Sequence, residues 1–382
     1  MSKRSKVALV LAGGGVAGVA YHIGAVRALD TLLANTTVND FDLYVGTSAG
    51  ALVCAALAAG MSSHELFERA AFALHEGGEL GPGKLFSPNL RSFVQRGRRF
   101  GSLMVSRVAH YVRHPSRFSP VDLAWDLLEG LPSGFYQSPR LARFFEQALL
   151  ERKVSRFVDL QRELYIIATI LDTGERAVFG LPPLDHVPIA QAIAASAAVP
   201  LVFQPVEIDG VAYIDGGLRG PASLDIAIER GAGLIICINP LVPLDNSRGT
   251  FGRPLSQAGP QAIGGQSFRT LFYAGLHYQL KQLRRRYPDV DILVIEPDRD
   301  DISVFEDPIL RFGSRCALMQ HACESVSSNI AAHYERYHAL LERHGLVLDQ
   351  PALRRQSSSQ EAARVVRLRT VLADLEQALD GF

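Results

Sequence analysis

Three short stretches hold the residue types that can do chemistry. In the first, Gly46-Thr47-Ser48-Ala49-Gly50 follows the apolar run 41–45 and precedes an Ala/Leu-rich stretch, Ala51 to Ala59. That is the pattern of strand, sharp turn and helix. A turn so tight lifts the serine hydroxyl at the strand's carboxyl end, above the free N–H groups of a helix amino terminus. Such a serine is placed to be a nucleophile, although serine is also an ordinary helix N-cap. The second stretch is Gly13-Gly14-Gly15-Val16-Ala17-Gly18. Read as G-x-G-x-x-G it is a dinucleotide fingerprint, which asks for an acid at the end of the second strand. Gly46-Thr47-Ser48 stand there instead. Read as a nest, the glycines turn backbone N–H groups toward one point at a helix amino terminus and hold an anion. Two such groups facing a serine hydroxyl make an oxyanion hole, in which one donor is worth roughly 3–4 kcal/mol of transition-state stabilisation. In the third stretch, Tyr213-Ile214-Asp215-Gly216-Gly217, an acid closes an apolar strand at a sheet edge. It reads either as a site carboxylate or as a turn aspartate.

The elements that must position these residues follow from the apolar patterning. Val7 to Ala12 is a continuous apolar run ending in glycine, as a buried parallel strand requires. A helix is expected from about Val19 to Ala34, then the strand 41–45 and the helix after Ser48. Ser62 or Ser63 caps a further helix through His75. Strand, helix, strand, helix argues for a parallel sheet in which the glycine run and the serine turn lie side by side. Farther on, Leu164–Leu171 and Arg176–Phe179 form a hairpin around Asp172-Thr173-Gly174, and a helix covers Ile189 to Ala197. Val206–Ile208 and Val211–Ile214 form a second hairpin around Asp209-Gly210. Gly233–Ile238 and Ile292–Ile295 are further strands. Ser247 to Gly265, rich in Gly, Pro, Ser and Gln, reads as a loop. The pattern beyond Ser314 is helical to about Arg343, so His321, His333, His338 and His344 are expected on helix surfaces.

Composition narrows the class. The 382 residues are 48% hydrophobic, with 33 glycines, as fits a loop-punctuated α/β protein with a large core. Lys+Arg and Asp+Glu balance at 39 each, so net charge predicts no nucleic-acid partner. Charge is nevertheless clustered: Lys84, Arg91, Arg96, Arg98, Arg99, Arg107, Arg113 and Arg117 occur with no acid between them. Interleaved with Phe86, Phe93, Phe100 and Phe118, they suit either a solvated basic face or contact with anionic headgroups. Cys54, Cys237, Cys316 and Cys323 show no metal-ligand spacing and suit a reducing compartment. No run reaches 18 apolar residues, so the expectation is a cytoplasmic protein, free or lying on a membrane surface.

Taken in order, the glycine run, G-x-S-x-G and Asp-Gly-Gly resemble the patatin-like phospholipase family. The resemblance extends through Ala195-Ser196-Ala197-Ala198-Val199-Pro200 and Phe203-Gln204-Pro205-Val206, covering about residues 6–240. It implies a three-layer α/β/α fold with a mostly parallel central sheet; the Pro- and aromatic-rich stretch 79–138, which breaks the strand–helix rhythm, reads as a helical and loop insertion, and the chain past 345 as a helical C-terminal extension. The hydrolase domain would span 1–345, with a polar linker and an amphipathic tail helix, Ala362 to Leu379, over 346–382. It also implies a Ser-Asp dyad without histidine. Ser48 would be the nucleophile and Asp215 the base, with the oxyanion held by Gly13, Gly14, Gly15 and Ala49. Neither cofactor nor metal is implied. The substrate would be a phospholipid or another lipid ester, cleaved as by a phospholipase A or lysophospholipase. The same dyad can serve an acyltransferase; a dinucleotide-binding oxidoreductase and a catalytically silent membrane module are the rival classes. One departure is Ala17, where many members carry Arg or Lys before the last glycine.

Overall fold

A computed structural model describes residues 5–74, 87–88, 133–137, 139–306 and 315–353. The basic segment 84–117, nearly all of the insertion and the expected tail helix 362–379 lie outside the described residues.

Eleven strands and ten helices are described. The chain opens with β1 (Lys6–Leu11), α1 (Gly15–Leu32), β2 (Leu43–Thr47), α2 (Ala49–Ala58) and α3 (Ser63–Leu74). After β3 (Ser87–Pro88) come β4 (Gly134–Gln137), α4 (Pro139–Leu150), β5 (Glu163–Ile170), β6 (Arg176–Phe179) and α5 (Ile189–Ser196). Then follow β7 (Leu201–Phe203), β8 (Val206–Ile208), β9 (Val211–Asp215), α6 (Leu224–Glu229), β10 (Ala232–Ile238) and α7 (Pro260–Arg286). The rest is β11 (Asp291–Ile295), α8 (Ile302–Glu306), α9 (Arg315–Ala332) and α10 (Tyr334–Glu342).

The main sheet runs β11-β10-β1-β2-β5-β9-β8, with β6 also paired to β5. From β11 to β5 every pairing is parallel, as the alternation of strands and helices requires. Strands buried on both faces explain the unbroken apolar runs. Along β1, Val7, Leu9 and Leu11 face the helices α1, α2, α5 and α9, while Ala8 and Val10 face α6 and α7. Helix, sheet and helix make three layers. β3, β4 and β7 form a separate small sheet.

Registers at β5 decide where the site forms. Thr47, the last residue of β2, pairs with Ile167, while Asp215, the last residue of β9, pairs antiparallel with Ala168. β6 occupies the opposite edge of both Ile167 and Ala168. The carboxyl ends of β2 and β9 therefore meet head-on along one edge of β5. β9 is flanked on its other side by β8, as the hairpin around Asp209-Gly210 requires.

Two further expectations are corrected. α1 begins at Gly15, inside the glycine run, and not near Val19. Residues 260–265, expected as loop, open the 27-residue α7, whose N1 position is Pro260. That helix buries only the stripe Arg269, Phe272, Leu276, Leu280 and Leu283, so its apolar periodicity is faint.

The Asp209-Gly210 hairpin turn has both φ values positive, at 52° and 78°, the geometry that favours this dipeptide. Past α10 the chain returns to the core through an antiparallel Leu33–Leu348 bridge. His344 is not a surface residue. It links Ser5 Oγ (2.6 Å) to Asp291 Oδ2 (2.8 Å), pinning the starts of β1 and β11 to this return. A Ser-His-Asp line results, at the edge of the sheet opposite Ser48. His321 likewise bonds Asp301 at 2.7 Å.

Candidate active site

Ser48 occupies the turn between β2 and α2 with φ 51° and ψ −116°, outside the conformations an L-residue ordinarily adopts. Such a backbone costs on the order of 1–3 kcal/mol and persists only where its surroundings hold it. The hold comes from both sides. The Ala51 N–H donates to the Ser48 carbonyl at 3.0 Å, and the Ser48 N–H donates to Ser196 Oγ at 2.8 Å. Gly50 lets α2 approach β1: a Cβ there would lie 2.1 Å from the Leu11 carbonyl oxygen. The motif's final glycine is thus a packing requirement.

Asp215 is held as firmly. Its N–H donates to the Ala198 carbonyl at 3.0 Å, and its own carbonyl accepts from Thr169 Oγ1 at 3.1 Å. Its Oδ1 accepts the Gly217 N–H at 2.8 Å. Gly216 between them cannot carry a side chain, since a Cβ would sit 2.2 Å from the Ile167 carbonyl oxygen. Asp215 is only 7% exposed. Burial pushes its pKa up to about 6, against the opposing pull of hydrogen bonds from the Ser48 side chain and the Gly217 amide. A carboxylate so raised is a better-matched base near neutrality than an exposed one.

The glycine loop closes the third side. A Cβ on Gly13 would stand 3.7 Å from Ser48 Cβ, and one on Gly18 would stand 3.3 Å from Ala49 Cβ. The two helix starts are therefore adjacent. Gly13 departs from the expected donor set, because its N–H already donates to the Pro221 carbonyl at 3.1 Å. That bond ties the glycine loop to the segment after Asp215. Gly14, Gly15 and Ala49 are left as the expected donors; Gly15 and Ala49 open α1 and α2, where amides lack intrahelical partners. On the far side Phe272 of α7 covers the Asp-Gly-Gly turn, its Cε1 2.8 Å from where a Gly217 Cβ would be. No group of three or more His, Cys, Asp or Glu residues is arranged to hold a metal among the described residues.

Three residues that support the site have no role assigned from the sequence: Thr169, His22 and Ser196, the last quoted only within the run Ala195–Pro200. The imidazole of His22 is fully buried on α1 and its Nε2 bonds the Ala12 carbonyl at 2.7 Å, fixing the peptide that leads into the glycine loop. Nδ1 has no partner among the described residues, and burial lowers the pKa to about 4. Because the folded pKa lies below the unfolded value of 6.5, stability should be lost as pH falls from about 6.5 to about 4. At 1.36 kcal/mol per pKa unit, His22 accounts for about 3 kcal/mol of that loss. His22→Gln, which keeps an N–H donor, should flatten this limb when urea unfolding is compared at pH 7 and pH 4.5.

Fold and site together define an α/β protein with a serine at a strained strand–helix elbow and a buried carboxylate beside it. The family model for patatin-like phospholipases matches residues 9–228, and the chain belongs to that family. It is 22% identical over 228 residues to the probable lipid hydrolase 463L of invertebrate iridescent virus 6, covering 58% of this chain and 63% of that one. To the uncharacterized protein YqhO of Bacillus subtilis (strain 168) it is 28% identical over 221 residues, covering 55% and 62%. The chain thus spans rather less than two thirds of the length of these relatives. Among solved structures it is similar to VipD from Legionella pneumophila, with 16% identity, a TM-score of 0.38, and 87% of this chain and 67% of that one covered. It is also similar to ExoU from Pseudomonas aeruginosa, with 16% identity, a TM-score of 0.31, and 86% and 53% covered.

Proposed function

We propose that the protein is a serine acyl hydrolase that cleaves the carboxylic ester of a lipid, in the manner of a phospholipase A or lysophospholipase. The observation that carries this reading is the head-on meeting of β2 and β9 along β5. It sets the Ser48 hydroxyl against a buried carboxylate whose pKa is raised to about 6. In this reading Ser48 Oγ attacks the ester carbonyl carbon while its proton passes to Asp215. The carbonyl oxygen becomes an oxyanion, for which the amides of Gly14, Gly15 and Ala49 are the donors. The tetrahedral adduct collapses, the leaving alcohol takes the proton from Asp215, and an acyl-enzyme remains. Water then attacks it, giving a proton to Asp215; the second tetrahedral adduct collapses as Ser48 Oγ takes that proton back, and the fatty acid leaves.

A lipid substrate is supported by what surrounds the site. Leu201 and Leu218 are 76% and 51% exposed, the first three residues beyond the Ala198 carbonyl that holds Asp215, the second three residues beyond Asp215 itself. Leu271, 71% exposed, is next to the Phe272 that covers Gly217. Arg219 is exposed beside Leu218. Leucines exposed on the segments that carry the site, with a cation beside one of them, suit contact with acyl chains and anionic headgroups. No helix among the described residues is long and apolar enough to cross a membrane, so the proposed contact is with a lipid surface.

The test is release of fatty acid from a panel of phospholipids and lysophospholipids. Release of fatty acid is expected, and a pH series should show its acid limb. Because Asp215 must be ionised to accept the proton, kcat should fall tenfold per pH unit below an apparent pKa near 6. A limb near pH 4 would mean that the base is an ordinary exposed carboxylate. Absence of release from every ester would overturn the reading.

A further inference from the structure

The run Ala195-Ser196-Ala197-Ala198 at the end of α5 takes no part in the proposed chemistry, yet it touches both of its members. Ser196 is fully buried, and its hydroxyl has a single proton, donated to the Ile167 carbonyl at 2.6 Å. A hydroxyl committed to one acceptor keeps its lone pairs for a donor on another side. The donor that arrives is the Ser48 N–H, at 2.8 Å. Two residues later the Ala198 carbonyl accepts the N–H of Asp215. The same β5 residue that takes the Ser196 proton is paired with Thr47, and its neighbour Ala168 is paired with Asp215. Helix end and strand together form a bracket around the two groups.

We infer that Ser196 is a positioning residue for the Ser48–Asp215 pair: it clamps the amide of the strained elbow to β5, so that the serine hydroxyl stays against the carboxylate. The inference rests on reading that pair as the dyad. With φ at 51° and ψ at −116°, the Ser48 peptide has a more relaxed conformation available nearby. The Ala51 N–H restrains only its carbonyl side, and Ser196 restrains the amide side. Without the hydroxyl, a buried donor and a buried acceptor both lose a partner, and rotation of the peptide carries Oγ away from Asp215. The clamp also commits the Ser48 N–H, so the oxyanion must look to the glycine loop and Ala49. Loss should therefore fall on the chemical step and spare substrate binding.

The experiment compares wild type, Ser196→Ala, Ser196→Cys and Ser48→Ala on a soluble short-chain ester and with a fluorophosphonate probe. Ser196→Ala should lower kcat roughly 10- to 100-fold, the order expected of a misplaced reacting atom, with KM within about twofold. Second-order labelling by the probe should fall by the same factor. Ser196→Cys, which fills the space but hydrogen-bonds weakly, should lie between Ala and wild type. Wild-type kcat and labelling rate in either folded variant would overturn the clamp. So would a loss that active-site titration traces to fewer active molecules, each turning over normally, because that is what a purely structural role produces. A dead Ser48→Ala beside a fully active Ser196→Ala would leave the dyad standing and refute only the clamp. An active Ser48→Ala would bring down both.

Discussion

Ser48→Ala is expected to lower ester hydrolysis at least about a thousandfold while leaving the fold intact. The residue is small and 4% exposed, and Ala removes only a hydroxyl. That hydroxyl makes no hydrogen bond on which the elbow depends: the elbow is held through the backbone of Ser48, by Ala51 and Ser196, and both bonds survive the substitution. Nearby hydroxyls do not replace it. Thr47 Oγ1 is buried without a partner among the described residues, and the Ser196 hydroxyl is committed to Ile167 and to the Ser48 amide. Far-UV circular dichroism and an unchanged melting transition would establish that the variant is folded; fatty-acid release measured beside wild type would give the loss. Retained activity in the folded variant would mean that the chemistry is done elsewhere.

Asp215→Asn should move activity and stability in opposite directions. Asn accepts the Gly217 N–H as Asp does but cannot take a proton, so hydrolysis should fall by about two to four orders of magnitude. Stability should rise. A carboxyl whose pKa goes from 3.8 to about 6 on folding is harder to ionise in the folded protein. The folded state is therefore disfavoured once pH exceeds 3.8, and the full cost is reached above about pH 6. At 1.36 kcal/mol per unit this amounts to about 3 kcal/mol at pH 7, and Asn removes it. Denaturation of both proteins at pH 7 and pH 4 checks the sign: the variant should be the more stable at pH 7, with the difference vanishing near pH 4. A variant less stable at pH 7 would show that the Asp215 charge is compensated inside the site.

Much of this arrangement was legible in the sequence for an identifiable reason. A strand buried on both faces must be apolar throughout, so β1, β2 and β10 stand out as runs, and the tight turns after β1 and β2 are marked by glycine. The elbow is visible because α2 cannot approach β1 with anything larger than Gly50. Asp209-Gly210 announces its hairpin by the same logic of backbone space. What was hidden depends on three dimensions. No pattern along the chain says that β9 comes back antiparallel to finish where β2 finishes; that is a fact of register on β5. Among three consecutive glycines, the sequence does not distinguish the amide committed to Pro221 from those left over. Thr169 and Ser196 act through single hydroxyls bonded to backbone, which carry no periodic signal. The start of helix α7 is not legible because a stripe of one buried residue every three or four positions on a polar helix scarcely differs from loop composition.

The central claim is that Ser48, activated by Asp215, forms an acyl-enzyme. Covalent trapping tests it most directly: incubation with a fluorophosphonate, then intact mass and peptide mapping. The expected result is one adduct per molecule, on Ser48, formed in wild type, much slower in Asp215→Asn and absent in Ser48→Ala. An adduct on any other residue, or a wild-type protein that hydrolyses lipid esters yet stays unlabelled at Ser48, would contradict the account.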